Sequence, residues 1–352
     1  MATPAGGPAS QRIVVVLGTA TPGGGFPVYG AAVADTIAET DPGLTIEQRN
    51  TKGSTENVPL LEAGAVDIAL VQGEVAHEAF NGIGRPPSNL KILAAMYSTP
   101  GMFVVRADTP YRTIQDLRGK SVAFGASGSG LVILSRYVLD GLGLDQDRDF
   151  QAIYLDRAGD GPAMVIDGRA AALWGGGQGW PGFGAVAKGP AGARFIAPDA
   201  SGIARILEKH AFLKPLTVPA GAYPGLTVPL PSVGSWSFIL ARPNLPDEVA
   251  YRLARALHLG GAAIARRLPQ AEETTAANTL AAAPGLHPSG RAAPSSRDSR
   301  RPLTDATRTP PSVRPTASAR RKAPAQAGGR SRRTRRCGRS RPARSARTSA
   351  RR

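Results

Sequence analysis

The chain has 352 residues, 42% of them hydrophobic, which is enough for two domains with real cores. Its formal net charge of +17 would point to a nucleic-acid partner, but 20 of the 43 Lys and Arg, and only 2 of the 26 Asp and Glu, fall in residues 291–352. Residues 1–290 hold 23 basic and 24 acidic residues, so the basicity belongs to a tail and not to a fold.

In chain order, Arg12 to Gly18 (RIVVVLG) is a continuous β-branched run, the pattern of a strand buried on both faces of a parallel sheet. It runs into Thr19-Ala20-Thr21-Pro22-Gly23-Gly24-Gly25-Phe26-Pro27 and then a small-residue helix from about Val28 to Glu39. Leu44 to Arg49 alternates as a half-exposed strand should, and Ser54 is placed to cap a helix running to about Ala63. Val66 to Gln72 is another buried strand, with Gln72 at its carboxyl end, where open α/β sheets hold ligands. His77 to Phe80 reads as helical. Lys91 to Tyr97 and Met102 to Arg106 read as two strands separated by Ser98-Thr99-Pro100-Gly101, the second a natural crossing between domains.

After a short helix at Thr113 to Arg118, Ser121 to Leu139 (SVAFGASGSGLVILSRYVL) gives a buried strand, a Gly/Ser loop and an apolar helix. The loop has two readings: an anion cradle built from unpaired N–H groups at a helix start, or a tight turn with a serine N-cap. Phe150 to Leu155 is a strand, Gly161 to Ile166 a helix, and Ala170 to Trp174 a buried strand that ends in a second Gly-rich loop, Gly175 to Pro181. Phe195 and Ile196 fit a short strand, Ser201 to Lys209 a helix, and Thr217 to Pro231 is extended. Gly234 to Ala241 is a strand that could carry the chain back to the first domain, and Asp247 to Ile264 is strongly helical, with Pro246 as its start signal. From Ser289 onward large apolar residues are nearly absent, so the tail is expected to be disordered.

No catalytic constellation emerges. Gly119-Lys120-Ser121 lacks the phosphate-loop glycine, since Ile114 stands there, and it enters a strand. Ser127 fails the nucleophile-elbow pattern because Ser129 follows where Gly is required. His77, His210, His258 and His287 have no metal-ligand spacing, and the single cysteine, Cys337, lies in the tail. No stretch reaches the ~20 apolar residues of a membrane span. What remains is a set of loops at strand ends rich in Gly, Ser, Thr and Gln, which donate hydrogen bonds but supply no acid, base or nucleophile. Neither enzyme nor cofactor nor metal is expected.

Five segments, GTATPGGGFPVYGAA (18–32), TKGSTENVPLLEAGAVDIALVQ (51–72), IQDLRGKSVAFGASGSG (114–130), DGRAAALWGGGQGWP (167–181) and LHP (286–288), together resemble the TAXI family of TRAP transporter solute receptors. The resemblance implies an α/β, type II periplasmic-binding-protein fold of two lobes joined by a two-strand hinge. Lobe 1 would comprise 12–105 plus 232–288, lobe 2 would be 106–231, and 289–352 the basic tail. It implies a monomeric periplasmic receptor that closes on a small organic acid or amino acid such as glutamate and delivers it to TRAP membrane permease subunits. Carried over position by position, the ligand site would draw Gly18, Thr19, Gly24, Phe26, Lys52, Gly53, Ser54 and Gln72 from the first lobe. Ser127, Gly128, Ser129, Gly130, Gln178 and Trp180 would come from the second. Ser127 and Ser129 would take a carboxylate, Thr19, Ser54 and Gln72 would orient the rest, and Phe26 and Trp180 would cover apolar or amino parts.

Three departures from that family stand out. Phe26-Pro27 replaces a tyrosine pair, MATPAGGPASQR has no apolar core of a leader peptide, and Arg/Ser/Pro sequence replaces a final aromatic helix after Pro288. The second points to a truncated or misassigned start or an excised leader, and the third to a reading-frame shift near Ser289. The alternatives are a receptor or sensor module of another uptake system with the same fold, or polyanion binding through the tail, which lacks the aromatics of a stacking platform.

Overall fold

The computed structural model describes residues 12–283. The tail expected at 289–352, and His287 and Pro288 with it, lie outside the described residues. The chain forms strands β1 (Ile13–Gly18), β2 (Leu44–Arg49), β3 (Ile68–Gln72), β4 (Lys91–Arg106) and β5 (Ser121–Ala126). They are followed by β6 (Gln151–Leu155), β7 (Ala172–Gly176), β8 (Ala193–Ile196), β9 (Lys214–Val218) and β10 (Leu230–Ala241). Between and after them run helices α1 (Gly25–Thr40), α2 (Ser54–Glu62), α3 (Gly73–Asn81), α4 (Gly130–Gly141) and α5 (Gly161–Ile166). The remaining helices are α6 (Pro181–Ala187), α7 (Ala200–Lys209), α8 (Asp247–Leu259), α9 (Gly261–Arg267) and α10 (Ala276–Ala282).

The strands form one continuous path, β2-β1-β3-β10-β4-β7-β5-β6, with β8 on β4 and β9 on β10. β1 pairs in parallel with β2 and β3, and β5 in parallel with β6 and β7. Helical crossovers between parallel strands cover both faces, which is why these strands read as unbroken apolar runs. In the first half, Leu17, Val33, Ile37, Leu70 and Leu253 fill one side, and Val58, Leu61, Val71, Phe80 and Phe238 the other. In the second half, Phe103, Phe124, Leu134 and Trp174 pack on one face, while Leu173, Phe183, Val186 and Phe195 pack on the opposite one.

The two halves share β4 and β10, which run antiparallel to each other. Residues 91–100 of β4 pair with β10, and residues 101–106 pair with β7 and β8. The sequence pattern divides β4 at Ser98-Thr99-Pro100-Gly101, but the strand runs through without a break. These residues stay extended because Gly234 on β10 lies directly against them, so close that a β-carbon there would collide with the Thr99 carbonyl. Pro100, which has no N–H to give, still uses its carbonyl to accept from Gly177 at 3.3 Å.

Other boundaries move for identifiable reasons. α1 begins three residues before the expected Val28, because Pro27 fits a first helical turn. The single helix expected over Asp247 to Ile264 is two, α8 and α9, broken at Gly260, where the backbone packs against the Thr36 side chain. The helix expected at Thr113 to Arg118 is a 3-10 turn, Gln115–Leu117.

Candidate functional site

Between the two halves lies a small cavity of about 60 Å³. Around it, five helices of the described residues begin: α1 after Gly24, α2 after Gly53, α3 after Gln72, α4 after Ser129 and the short α6 after Trp180, each of those N-cap residues being part of the wall. Each start leaves backbone N–H groups without intrahelical partners and carries the positive end of a helix dipole. Each start follows the carboxyl end of a strand, β1, β2, β3, β5 or β7; the first three run antiparallel to the last two through β10 and β4, so the carboxyl edge of each half faces the cavity. That edge is where α/β sheets place their ligands.

Of the residues expected at the site, Gly24, Phe26, Lys52, Gly53, Ser54, Gln72, Ser129 and Trp180 line the cavity. Gly18, Thr19, Ser127, Gly128, Gly130 and Gln178 do not. Gly18 packs at the end of β1 against Asn57 and Ala69, where a β-carbon would sit tightly, 3.0 Å from Asn57 Oδ1. Thr19 is fully buried and committed to structure: its hydroxyl donates to the Arg49 carbonyl, and its own carbonyl accepts from Thr51 Oγ1 (3.1 Å) and Asn57 Nδ2 (2.8 Å). The Ser127 hydroxyl turns to the Leu155 carbonyl at 3.4 Å, and Gln178 is exposed.

Gly128 and Gly130 bring the halves together. The Gly128 carbonyl accepts from Thr55 N (3.2 Å) and Thr55 Oγ1 (3.0 Å), and a β-carbon on Gly130 would meet Gln72 Cβ at 2.5 Å. A second seam joins the first glycine loop to the end of β6: Ala158 N donates to Thr21 Oγ1 at 3.1 Å, and Gly23 packs on Gly159. The cavity is thus closed on two sides by direct contact between the halves.

Within the wall, the hydroxyls have distinct tasks. Ser54 is the first helical residue, not the cap that its sequence position predicts; Gly53 takes the cap with φ +119°, and Ser54 Oγ accepts from Gln72 N at 3.0 Å. Ser129 does cap its helix, accepting from Leu131 N at 3.2 Å with one of its two lone pairs, while its hydroxyl proton remains free to point at a ligand. The loop read as either anion cradle or capped turn therefore has the geometry of a capped turn whose capping residue also faces the cavity.

Gln72 is 3% exposed, and its Nε2 is buried without a hydrogen-bond partner. Native interiors rarely leave such a donor orphaned, and this one sits in the wall of a cavity. Eleven further residues complete the wall, Tyr97, Thr99, Ser237, Thr21, Leu131 and Gly176 among them, and the sequence pattern assigns none of these six to the site. Tyr97, Thr99 and Ser237 come from the crossing strands β4 and β10, whose residues face the cleft only because the two halves fold over that edge. Burial raises the Tyr97 phenol far above its ordinary range, with Tyr29 and Tyr223 adding to the effect, so it is a neutral hydroxyl at any physiological pH. The ring of Trp180 closes the far wall; its backbone N donates to Tyr223 Oη at 2.7 Å, and that phenol donates onward to the Gly177 carbonyl at 2.7 Å. Lys52, exposed at the rim, is the one charged residue in the wall.

Among the described residues no group of His, Cys, Asp and Glu has the arrangement of a metal site, and no helix is long and apolar enough to cross a membrane. This architecture, two α/β halves sharing two antiparallel strands and closing on a cavity at their carboxyl edges, is the periplasmic-binding-protein fold. MatC from Rhodopseudomonas palustris, solved with bound malate, superposes with a TM-score of 0.52 at 13% identity over 78% of this chain and 96% of its own. A structure described as a periplasmic transporter gives 0.50 at 14% identity over 75% and 88%. The alkanesulfonate-binding protein SsuA from Xanthomonas axonopodis pv. citri, bound to MOPS, gives 0.46 at 17% identity over 80% and 86%. The sequence itself matches the NMT1-like family over residues 17–291, and the chain belongs to that family.

Proposed function

We propose that the protein is an extracytoplasmic solute-binding receptor that captures a small anionic solute, an organic acid or an amino acid, and presents it to the membrane subunits of a TRAP-type transporter of the TAXI kind. The observation that carries the reading is the orphaned Gln72 Nε2 in a cavity ringed by five helix N-termini. Such a site offers donors and helix-dipole positive ends to an anion, and its wall holds no His, Cys, Asp or Glu. In this reading residues 12–105 and 232–288 form one lobe and 106–231 the other, with β4 and β10 as the hinge. Closure forms the Gly53–Gly128 and Gly23–Gly159 seams. Periplasmic placement and the TRAP partner rest on the motif resemblance at 18–32, 51–72, 114–130 and 167–181. Malate, held by a protein of the same fold, is one ligand to try.

The test is calorimetry and thermal shift against mono- and dicarboxylates and amino acids. The reading expects a saturable hit that raises the melting temperature; a panel without any stabilising small anion or amino acid overturns it.

A further inference from the structure

We infer that the ligand of this cavity is a short-chain anion carrying no ammonium group, a carboxylate or sulfonate and not an amino acid; the inference rests on the receptor reading above and narrows it. An amino acid presents two charges, and a buried ammonium must be matched by a carboxylate or by several acceptors. The cavity wall has neither Asp nor Glu; its one charged residue is Lys52, of the opposite sign to what an ammonium needs. The helix dipoles also turn their positive ends to the wall, since five helix N-termini meet there and, among the described residues, no helix C-terminus does.

The polar side chains point the same way. Gln72 Nε2 is a donor without a partner, while Ser54 Oγ already accepts from Gln72 N, Thr21 Oγ1 from Ala158 N and Ser129 Oγ from Leu131 N. Each of these hydroxyls has one of its two lone pairs committed within the protein and keeps its proton to offer, which suits an anion. The remaining wall is apolar or aromatic: Phe26, Leu131 and the Trp180 ring face the part of the ligand away from its charge. Size agrees. At about 60 Å³ the cavity favours a compact ligand.

The experiment titrates the full chain with acetate, propionate, lactate, butyrate and methanesulfonate, and in parallel with glycine, alanine and glutamate. The carboxylate and sulfonate arms separate the two head groups. At least one amine-free anion is expected to bind, with its α-amino counterpart, alanine for propionate, at least tenfold weaker. Alanine or glutamate binding as tightly as the best amine-free anion overturns the inference and leaves the receptor reading standing. A panel with no binder in either class overturns both.

Gln72→Glu, with folding checked by circular dichroism, is expected to weaken the anion more than tenfold and to narrow or invert its advantage over alanine; an unchanged ratio counts against the assignment. Should that variant not fold, Lys52→Ala replaces an exposed side chain, and it is expected to weaken the anion severalfold, with an unchanged affinity counting against the assignment.

Discussion

Gly53 and Gly128 face each other across the cleft with no room for a side chain on either. A β-carbon on Gly53 would lie 2.8 Å from the Gly128 carbonyl oxygen, and one on Gly128 would lie 2.6 Å from the Lys52 side chain. Gly53 also has φ +119°, a conformation that other residues avoid, whereas Gly128 is free of that constraint. Gly128→Ala therefore tests the seam alone. The expected outcome is a ligand affinity reduced at least tenfold, because the closed form can no longer seat, with thermal stability of the ligand-free protein nearly unchanged. Equal affinity in calorimetry would show that closure at this seam is not needed for binding.

Glu74 gives a pH signature. It stands in the first turn of α3, fully buried, and neither carboxylate oxygen has a hydrogen-bond partner. Burial pushes its pKa up from 4.5 to about 7, opposed in part by the nearby Ser235, whose hydroxyl lies outside bonding geometry, with Glu78 adding a smaller upward push. Below pH 4.5 the group is neutral in both states and costs nothing. Between 4.5 and 7 the unfolded chain gives up its proton while the folded chain keeps it, so stability falls as pH rises, and above 7 the loss is complete. The full effect is ~3 kcal/mol. Glu74→Gln should be level across this range, so its stability relative to the parent rises by about that amount from pH 4 to pH 8. Urea unfolding at both ends checks it, and a difference independent of pH would rule out a buried carboxyl with a raised pKa.

Asn57 ties strand ends together. Its Nδ2 donates at 2.8 Å to both the Thr19 and the Leu70 carbonyls, at the carboxyl edges of β1 and β3. Asn57→Ala strips the Leu70 carbonyl of that partner and leaves a buried void; a loss of ~2–4 kcal/mol is expected from an unsatisfied buried acceptor together with the cavity. A loss under about 0.5 kcal/mol in chemical denaturation would show that these carbonyls find other donors.

Tyr223→Phe isolates one hydroxyl that holds the Gly177–Trp180 loop by two 2.7 Å bonds. The cost to folding is expected to be ~1–3 kcal/mol. On the receptor reading the larger effect falls on binding, because Trp180 is no longer fixed against the cavity, and its fluorescence should broaden and shift toward that of exposed indole. A spectrum and affinity matching the parent would show that packing against Phe183 holds the ring without the loop bonds.

Much of the fold was legible in the residues. The runs at Ile13–Gly18, Ile68–Gln72 and Ser121–Ala126 read as buried parallel strands because helices cover both their faces, and the glycine loops after β1 and β5 mark the ligand edge. Less visible was α6, seven residues of PGFGAVA whose Gly and Pro content hides a helix that packing of Phe183 and Val186 sustains. β4 misled in the other direction: Pro100-Gly101 has the composition of a turn, and only pairing with Gly234 keeps it extended.

The sequence by itself determined the alternation of strands and helices, the neutral core domain set apart from its basic tail, and eight of the residues that line the cavity. Tertiary structure alone decided which glycines face the cavity and which bring the halves into contact. Gly53 and Gly24 are in the wall while Gly128 and Gly130 are pressed against Lys52 and Gln72, and a residue without a side chain carries no local mark of what will approach it. The same holds for Tyr97 and Ser237, which read as ordinary strand residues, and for Thr99, which the pattern places in a break between two strands. They enter the wall because β4 and β10 cross between the halves, a relationship between positions some 140 residues apart that no local pattern encodes.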